Sequence, residues 1–258
     1  MRNILAVAGK ELRAYFHSPI AYLVMTVYSA LCGFFFFSFM ATYVMQTFRM
    51  QAMGGMGAPP MSLNEYIVRP LLEGVLTVVL LLLVPLITMR LYAEEKRSGT
   101  IELLLTSPLT DLQIILGKFL GAFGLYAVLM LLTALYVALL FLYGNPNAKP
   151  MLAGLLGILL FGGALLALGM WISTFTKNQI IAGSTAMAVF LLLYVLDWSS
   201  AYSSSGVGRF FSYVALTTHF DNFAKGVIDL SDVVYYASVI ALGVFLTARS
   251  VEALKGRP

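Results

Sequence analysis

The longest charged interval between two strongly apolar runs is Arg90 to Lys118. Arg90, Glu94, Glu95, Lys96, Arg97 and Glu102, followed by Asp111 and Lys118, stand between two long apolar runs. Ser98-Gly99 breaks the charge run, and Thr100 is expected to cap a short helix with Glu102 in its first turn, where the helix dipole favours an acid. Ser107-Pro108 should end that helix, because proline disfavours helical geometry in the residue before it. Thr110 to Gln113 has the form of a capping box, so a second helix starts there and enters the next apolar run. The pattern predicts a short helix lying across the mouth of two membrane spans with charges on both sides. Such an arrangement suits contact with another protein and not bond breaking.

Other chemistries find little support. A phosphate-binding GxxxxGK[ST] loop is missing, since Gly117-Lys118 has Leu112 where the first glycine must be. The chain is therefore not expected to cradle nucleotide phosphates in that way, and no enzyme activity is expected from it. There is no HExxH, and the two histidines, His17 and His219, fall on opposite sides of the membrane in the topology derived below. His219 reads as a hydrogen-bonded structural residue. The single Cys32 lies within an apolar run and offers neither an internal disulfide nor a cysteine metal cluster. Methionines 45, 50, 53, 56 and 61 could present thioethers to Cu(I), although a low-complexity loop is the simpler reading. No metal or cofactor is expected in this chain.

The elements that must position the charged stretch are set by composition. The chain has 258 residues, 60% hydrophobic and 11% charged, with a mean hydropathy of +0.89. Several apolar runs reach the roughly 20 residues that cross a bilayer as helix. The expectation is an all-α, single-domain polytopic membrane protein with spans near 20–45, 71–91, 114–143, 151–174, 180–196 and 233–248. The last is short enough to need help from neighbours or bilayer thinning. Pro85 should kink span two, and Glu73 at its outer mouth reads as a first-turn acid. Gly117 and Gly121 could admit a close helix neighbour. Residues 1–19 precede these spans. Ile4, Leu5, Ala8, Leu12, Tyr15 and Phe16 share one helical face opposite Arg2, Asn3, Lys10 and Arg13, which predicts an amphipathic interfacial helix with its cations towards anionic headgroups. Residues 197–232 form a second large connection, apolar enough at Phe210, Phe211, Tyr213 and Val214 to sit partly in the membrane. Interior charge looks nearly absent from the spans, which argues against an ion-coupled carrier.

Orientation follows from the cations. With both termini on one side, the opposite side holds Arg49, Arg69, Lys149, Arg209 and Lys225, and the remaining eleven of the 16 lie with the termini. The excess places the termini and the charged stretch in the cytoplasm.

Three segments then carry a family resemblance. EEKRSGTIELLLTSPLT with the following ILGK resembles the signature of type-2 ABC exporter permeases. KELRAYFHSPIAYL, Lys10 to Leu23, is similar to that family's approach to its first span, and THFDNFAKGVIDLSD, Thr218 to Asp232, to its stretch before the last. The look is closest to permeases of gliding-motility and nitrous-oxide-reductase-maturation systems. The resemblance implies a cytoplasmic coupling helix between spans two and three that docks on an ABC ATPase dimer, which binds ATP and Mg. It also implies a second permease copy, membrane lipid and an auxiliary extracytoplasmic protein as partners, but no nucleic acid. The implied force-transmitting positions are Arg90, Glu94, Glu95, Lys96, Arg97, Gly99, Thr100 and Glu102, with Lys10, Glu11, Arg13 and Phe16 on the interfacial helix. The gliding relatives also admit a mechanical transmitter without a substrate path.

Overall fold

The computed structural model describes residues 1–52, 62–106, 108–144, 146–200, 210–211 and 213–255. Every regular element among them is helical. In chain order these are α1 (Arg2–His17), α2 (Pro19–Ala52), two π-helical turns (Asn64–Val68 and Pro70–Leu76) and α3 (Thr77–Thr88). They continue as α4 (Arg90–Ser98), α5 (Thr100–Leu105), α6 (Asp111–Tyr143), α7 (Ala148–Ser173), α8 (Gln179–Ser200), α9 (Phe220–Ala224) and α10 (Leu230–Lys255). Among the described residues, six helices are long and apolar enough to cross a membrane: Pro19–Ala52, Asn64–Ser98, Asp111–Leu142, Ala148–Ser173, Gln179–Leu196 and Leu230–Leu254. The sixth span covers 25 residues and is not short. Asp229 explains the difference, because its carboxylate accepts from Ser231 N–H at 3.0 Å and starts the helix ahead of the apolar run. That same N–H holds the Asp229 carboxyl below its usual pKa. The far end continues as helix to Lys255 through the basic segment.

Local signals fix several helix starts. Thr110 and Gln113 exchange both capping-box hydrogen bonds at the head of α6. Asn147 caps α7 by accepting from Lys149 N–H, and Asn178 accepts from Ile180 N–H at the start of α8. Span two is the longest of these, 35 residues, because the two π turns extend it before the apolar run and α4 extends it beyond. The helix passes through Pro85 without ending there.

Spans two and four form the centre, each with 67% of its apolar window buried, against 22–39% for the others. Close approach to α7 is obtained by deleting side chains. A Cβ at Gly157 would lie 2.4 Å from Phe223, and one at Gly162 would lie 2.2 Å from the Tyr126 ring. Small residues permit such packing where apolar burial alone gives helices in lipid no reason to associate. Phe220 and Phe223 of α9 are buried against this face, so the described part of the second connection belongs to the core. Residues 201–209 of that connection, and 53–61 of the methionine-rich segment with Met53, Met56 and Met61, lie outside the described residues.

The α1 helix docks against the start of α6. A Cβ at Gly117 would lie 2.5 Å from Val7 Cβ, and one at Gly121 equally close to Glu11 Cβ. The small-residue pair therefore does admit a neighbour, and that neighbour is the N-terminal helix. The packed face runs through Val7, Ala8, Glu11, Leu12 and Tyr15. Leu5, expected on it, is 67% exposed, whereas Glu11 turns inward. A buried cation opposite Glu11 causes the exchange.

Candidate functional site

That cation is Lys118, on the second turn of α6 and only 1% exposed. Its ammonium donates to Glu11 Oε1 of α1 at 3.0 Å, to Glu95 Oε1 of α4 at 2.7 Å and to the Leu91 carbonyl at 2.9 Å. Three hydrogen bonds use all three ammonium donors, and the charge also lies 5.2 Å from the centre of the Tyr92 ring. Three elements that are remote in sequence thus meet at one atom. The expectation of almost no interior charge fails here, because Lys118 stands four residues inside the apolar run from Ile114 and is fully enclosed.

A second set of contacts reinforces the joint one turn away. Tyr15 of α1 is buried and its hydroxyl donates to the Ile87 carbonyl at 2.7 Å. Burial, with the negative charge of Glu11 nearby, pushes the phenol well above its ordinary pKa and keeps it a donor. Arg90 stacks over the Tyr15 ring at 5.2 Å and pairs with Glu94 at 2.9 Å. Lys96 donates to the Thr174 carbonyl, which ties α4 to the end of α7.

Beyond Ser98 the chain turns sharply. Gly99 has φ 73°, a left-handed conformation that glycine adopts without a Cβ penalty. The turn releases α5, whose residues Glu102 and Leu103 are exposed, Leu103 by 74%. Thr100 does not cap α5. It is already the first helical residue, Gly99 occupies the cap position, and the Thr100 hydroxyl bonds that of Ser98 at 2.8 Å. The helix ends at Leu105, ahead of Ser107-Pro108, where Thr106 Oγ1 donates to the Glu102 carbonyl.

Two hollows flank the hairpin. One, of about 480 Å³, opens between α1 and the α4–α5 turn and is lined by Lys10, Glu11, Arg90, Glu94, Glu95 and Leu103 among others. The other, of about 390 Å³, is lined by Lys96, Gly99, Glu102, Phe175, Lys177 and Leu254. The structure thus brings Arg90, Glu94, Glu95 and Glu11 together at one joint and sets Lys96, Gly99 and Glu102 on the other flank. Arg97 and Thr100 are exposed, as are Lys10 and Arg13 on the side of α1 turned away from α6, and Phe16 is half-buried with its ring edge-on to Tyr22 at 6.3 Å. Glu94 and Glu95, adjacent in sequence, differ in role: Glu94 is 46% exposed, while Glu95 is 14% exposed and bound to Lys118. Sequence reasoning counted Lys118 among the charges but missed its role and that of Tyr15. A lone lysine inside an apolar run was the signal, because such a residue needs a partner.

At the other end of the bundle a separate polar group closes the core. His219 Nδ1 lies 2.7 Å from Asp232 Oδ1 and its Nε2 lies 3.1 Å from the Tyr213 carbonyl. Asn222 donates to the second Asp232 oxygen at 2.8 Å, and the imidazole stacks on Tyr235 at 3.7 Å. These are the contacts of a hydrogen-bonded structural residue. Nearby, Arg69 joins Glu73 at 2.9 Å to Asp221 at 3.0 Å, with Glu73 still 38% exposed.

Six membrane-length helices and a charged hairpin between the second and third define a polytopic membrane subunit. Residues 60–248 match the family model described as ABC-2 family transporter protein, and the chain belongs to that family. It is accordingly a transmembrane permease component of an ABC transporter, a membrane part and not the ATPase. A probable multidrug ABC transporter permease, YbhS, of Escherichia coli (strain K12) is 29% identical over 133 residues, which cover 51% of this chain and 34% of that protein. The counterpart in Escherichia coli O157:H7 matches with the same figures. The aligned part of the chain spans about a third of the length of these curated relatives.

Proposed function

We propose that this chain is the membrane half of an ATP-driven exporter in the inner membrane, with both termini in the cytoplasm and α5 docking on a separate ATPase dimer that binds ATP and Mg. The observation that carries this reading is the short α5 helix itself. It hangs between spans two and three on a left-handed glycine, with Glu102 and Leu103 outermost. A helix presenting an exposed leucine beside an acid is suited to a partner with an apolar slot and a basic rim. The family supports such an ATPase in general terms. A second permease copy would complete the assembly, and the exposed apolar faces of α2 and α8 would meet lipid or that copy. The cationic outer face of α1, with Lys10 and Arg13, would lie against anionic headgroups.

The test is co-purification of an ABC ATPase subunit from the same organism, co-expressed with this chain. Leu103→Asp combined with Glu102→Lys changes only exposed residues, so the protein should remain monodisperse in detergent while ATPase recovery falls at least tenfold. Wild-type protein that retains no ATPase, or a variant that retains all of it, defeats the reading. Reversing Glu95 would be a poor test, because it places a second cation beside buried Lys118.

A further inference from the structure

We propose that the hollow at the end of the bundle remote from the hairpin is a subsite for a hydroxyl-rich head group, such as a sugar, on the molecule this permease moves. The inference rests on the exporter reading above and adds to it the chemical class of the substrate.

The hollow has a volume of about 330 Å³, at the lower end of small-molecule sites, so it holds one head group and not a chain of them. Span two supplies Glu73 and Thr77 to its wall, and α8 supplies Tyr194. The segment leading into α9 supplies Thr217 and Thr218, and α9 itself Asp221. Carboxylates and hydroxyls thus surround one small space. Sites for drug-like molecules are lined mostly by apolar side chains with a few polar ones, and this lining is the reverse.

Charge separates a neutral head group from an ion. Arg69 pairs with Glu73 at 2.9 Å and with Asp221 at 3.0 Å, and Lys225 pairs with Asp221 as well. The two acids are matched by two cations, so a cationic ligand meets no net attraction and an anionic one meets carboxylates. What remains is hydrogen-bonding capacity. Glu73 is 38% exposed, and its pair with Arg69 engages one oxygen. Thr217 Oγ1 is buried with no hydrogen-bond partner among the described residues. A buried hydroxyl in that state costs free energy until something bonds it. Because Thr217 lines the hollow, rotation about χ1 presents that hydroxyl to whatever enters. A polyol satisfies such a wall, donating to the carboxylate and accepting from the threonines. A head group without hydroxyls leaves these groups unpaired.

The test uses the complex with the co-expressed ATPase, in nanodiscs prepared without sugar-headed detergent. Saturable retention of radiolabelled octyl β-glucoside is measured over that of empty nanodiscs. The parent complex should bind the glucoside, and octyltrimethylammonium, with the same chain and a cationic head, should not displace it. Glu73→Gln should weaken binding by about tenfold, as expected for a hydrogen bond to a charged group. Thr217→Val should weaken it about three- to tenfold. It should leave the melting temperature of the complex no lower, because it deletes an unpartnered hydroxyl at constant volume. A residue with a structural role alone would not give that combination. Glu65→Gln, an exposed acid outside the lining, should bind like the parent. Methyl β-glucoside as competitor separates two sources of the same chemistry: displacement assigns the site to free saccharides, and its absence to heads carried on a lipid chain.

The proposal is overturned if the parent shows no saturable binding, if octyltrimethylammonium displaces the glucoside, or if Glu73→Gln and Thr217→Val bind it like the parent. A complex that holds its ATPase but no glucoside leaves the exporter reading standing without this subsite. Glucoside bound by a chain that retains no ATPase removes that reading and keeps the site.

Discussion

The two ends of the bundle hold themselves together by different means. At the hairpin end, α1, α4 and α6 meet through one buried ammonium, two carboxylates and borrowed backbone carbonyls, with an open hollow alongside. At the other end, α7, α9 and α10 meet through aromatic rings set into glycine notches and a His–Asp–Asn group, with a hollow of about 330 Å³ beside Phe220 and Asp221. Directional charges across a gap allow a joint to rotate and still remain closed. Rings packed into notches resist small displacements, whereas the Gly117 and Gly121 notches at the hairpin end receive Val7 and Glu11 and no ring. The difference teaches that one bundle can close its two ends with different side-chain chemistry, paired charges at one and packed rings at the other.

If this contrast is right, removing volume should be worst at the packed end. Phe223 is fully buried, and its ring fills the space left by the missing side chain of Gly157. Phe223→Ala should cost about 3–5 kcal/mol, the usual range for deleting a buried phenylalanine. It should appear as a large fall in the detergent melting temperature with little change in ATPase recovery per folded molecule. A melting temperature near that of the parent would show that this end is loosely packed and would erase the comparison.

The polar group at the same end gives the next largest effect. Asp232 is 4% exposed and accepts from both His219 and Asn222. Asp232→Ala leaves two buried polar groups without their acceptor, for a cost of about 1–3 kcal/mol. Asp232→Asn, which keeps an acceptor oxygen, should recover part of it. Thermal unfolding of the pair measures the difference. Equal losses would mean that the charge matters and not the hydrogen bonds.

These two ends were not equally legible in the sequence. Apolar run length revealed the six spans because a bilayer imposes one length on every crossing helix, and the Thr110–Gln113 pair announced the start of α6 by a local rule. The limits of spans two and six were missed for a local reason of another kind. π turns and an Asp229 cap extend helices into residues whose composition reads as loop. At the site, Gly99 was readable as a turn, but Glu94 and Glu95 looked alike. What separates them is Lys118, 23 residues further on, and Glu11, more than a hundred residues from Lys118. Helical periodicity on α1 put Leu5 on the packed face and left Glu11 unplaced, because a partner in a distant element does not show in the apolar stripe. The Phe223–Gly157 notch was invisible, since a glycine in an apolar run does not say which ring will fill it.

The smallest expected effect on stability is at Gly99, and it sharpens the contrast most. The residue is exposed, with open space around the position of a Cβ, so Gly99→Ala introduces no clash. It carries only the left-handed backbone penalty, about 1–2 kcal/mol. That penalty falls on a surface turn, and α5 can relieve it by adopting another angle without disturbing the core. The melting temperature should therefore barely move. ATPase recovery should nevertheless fall, because α5 would point elsewhere, and Gly99→Asn, whose side chain tolerates the left-handed region better, should recover more than Gly99→Ala. A variant that loses stability and keeps its ATPase would reverse this assignment: the turn would then serve the fold, and the docking surface would have to lie on α4 or the Phe175 loop.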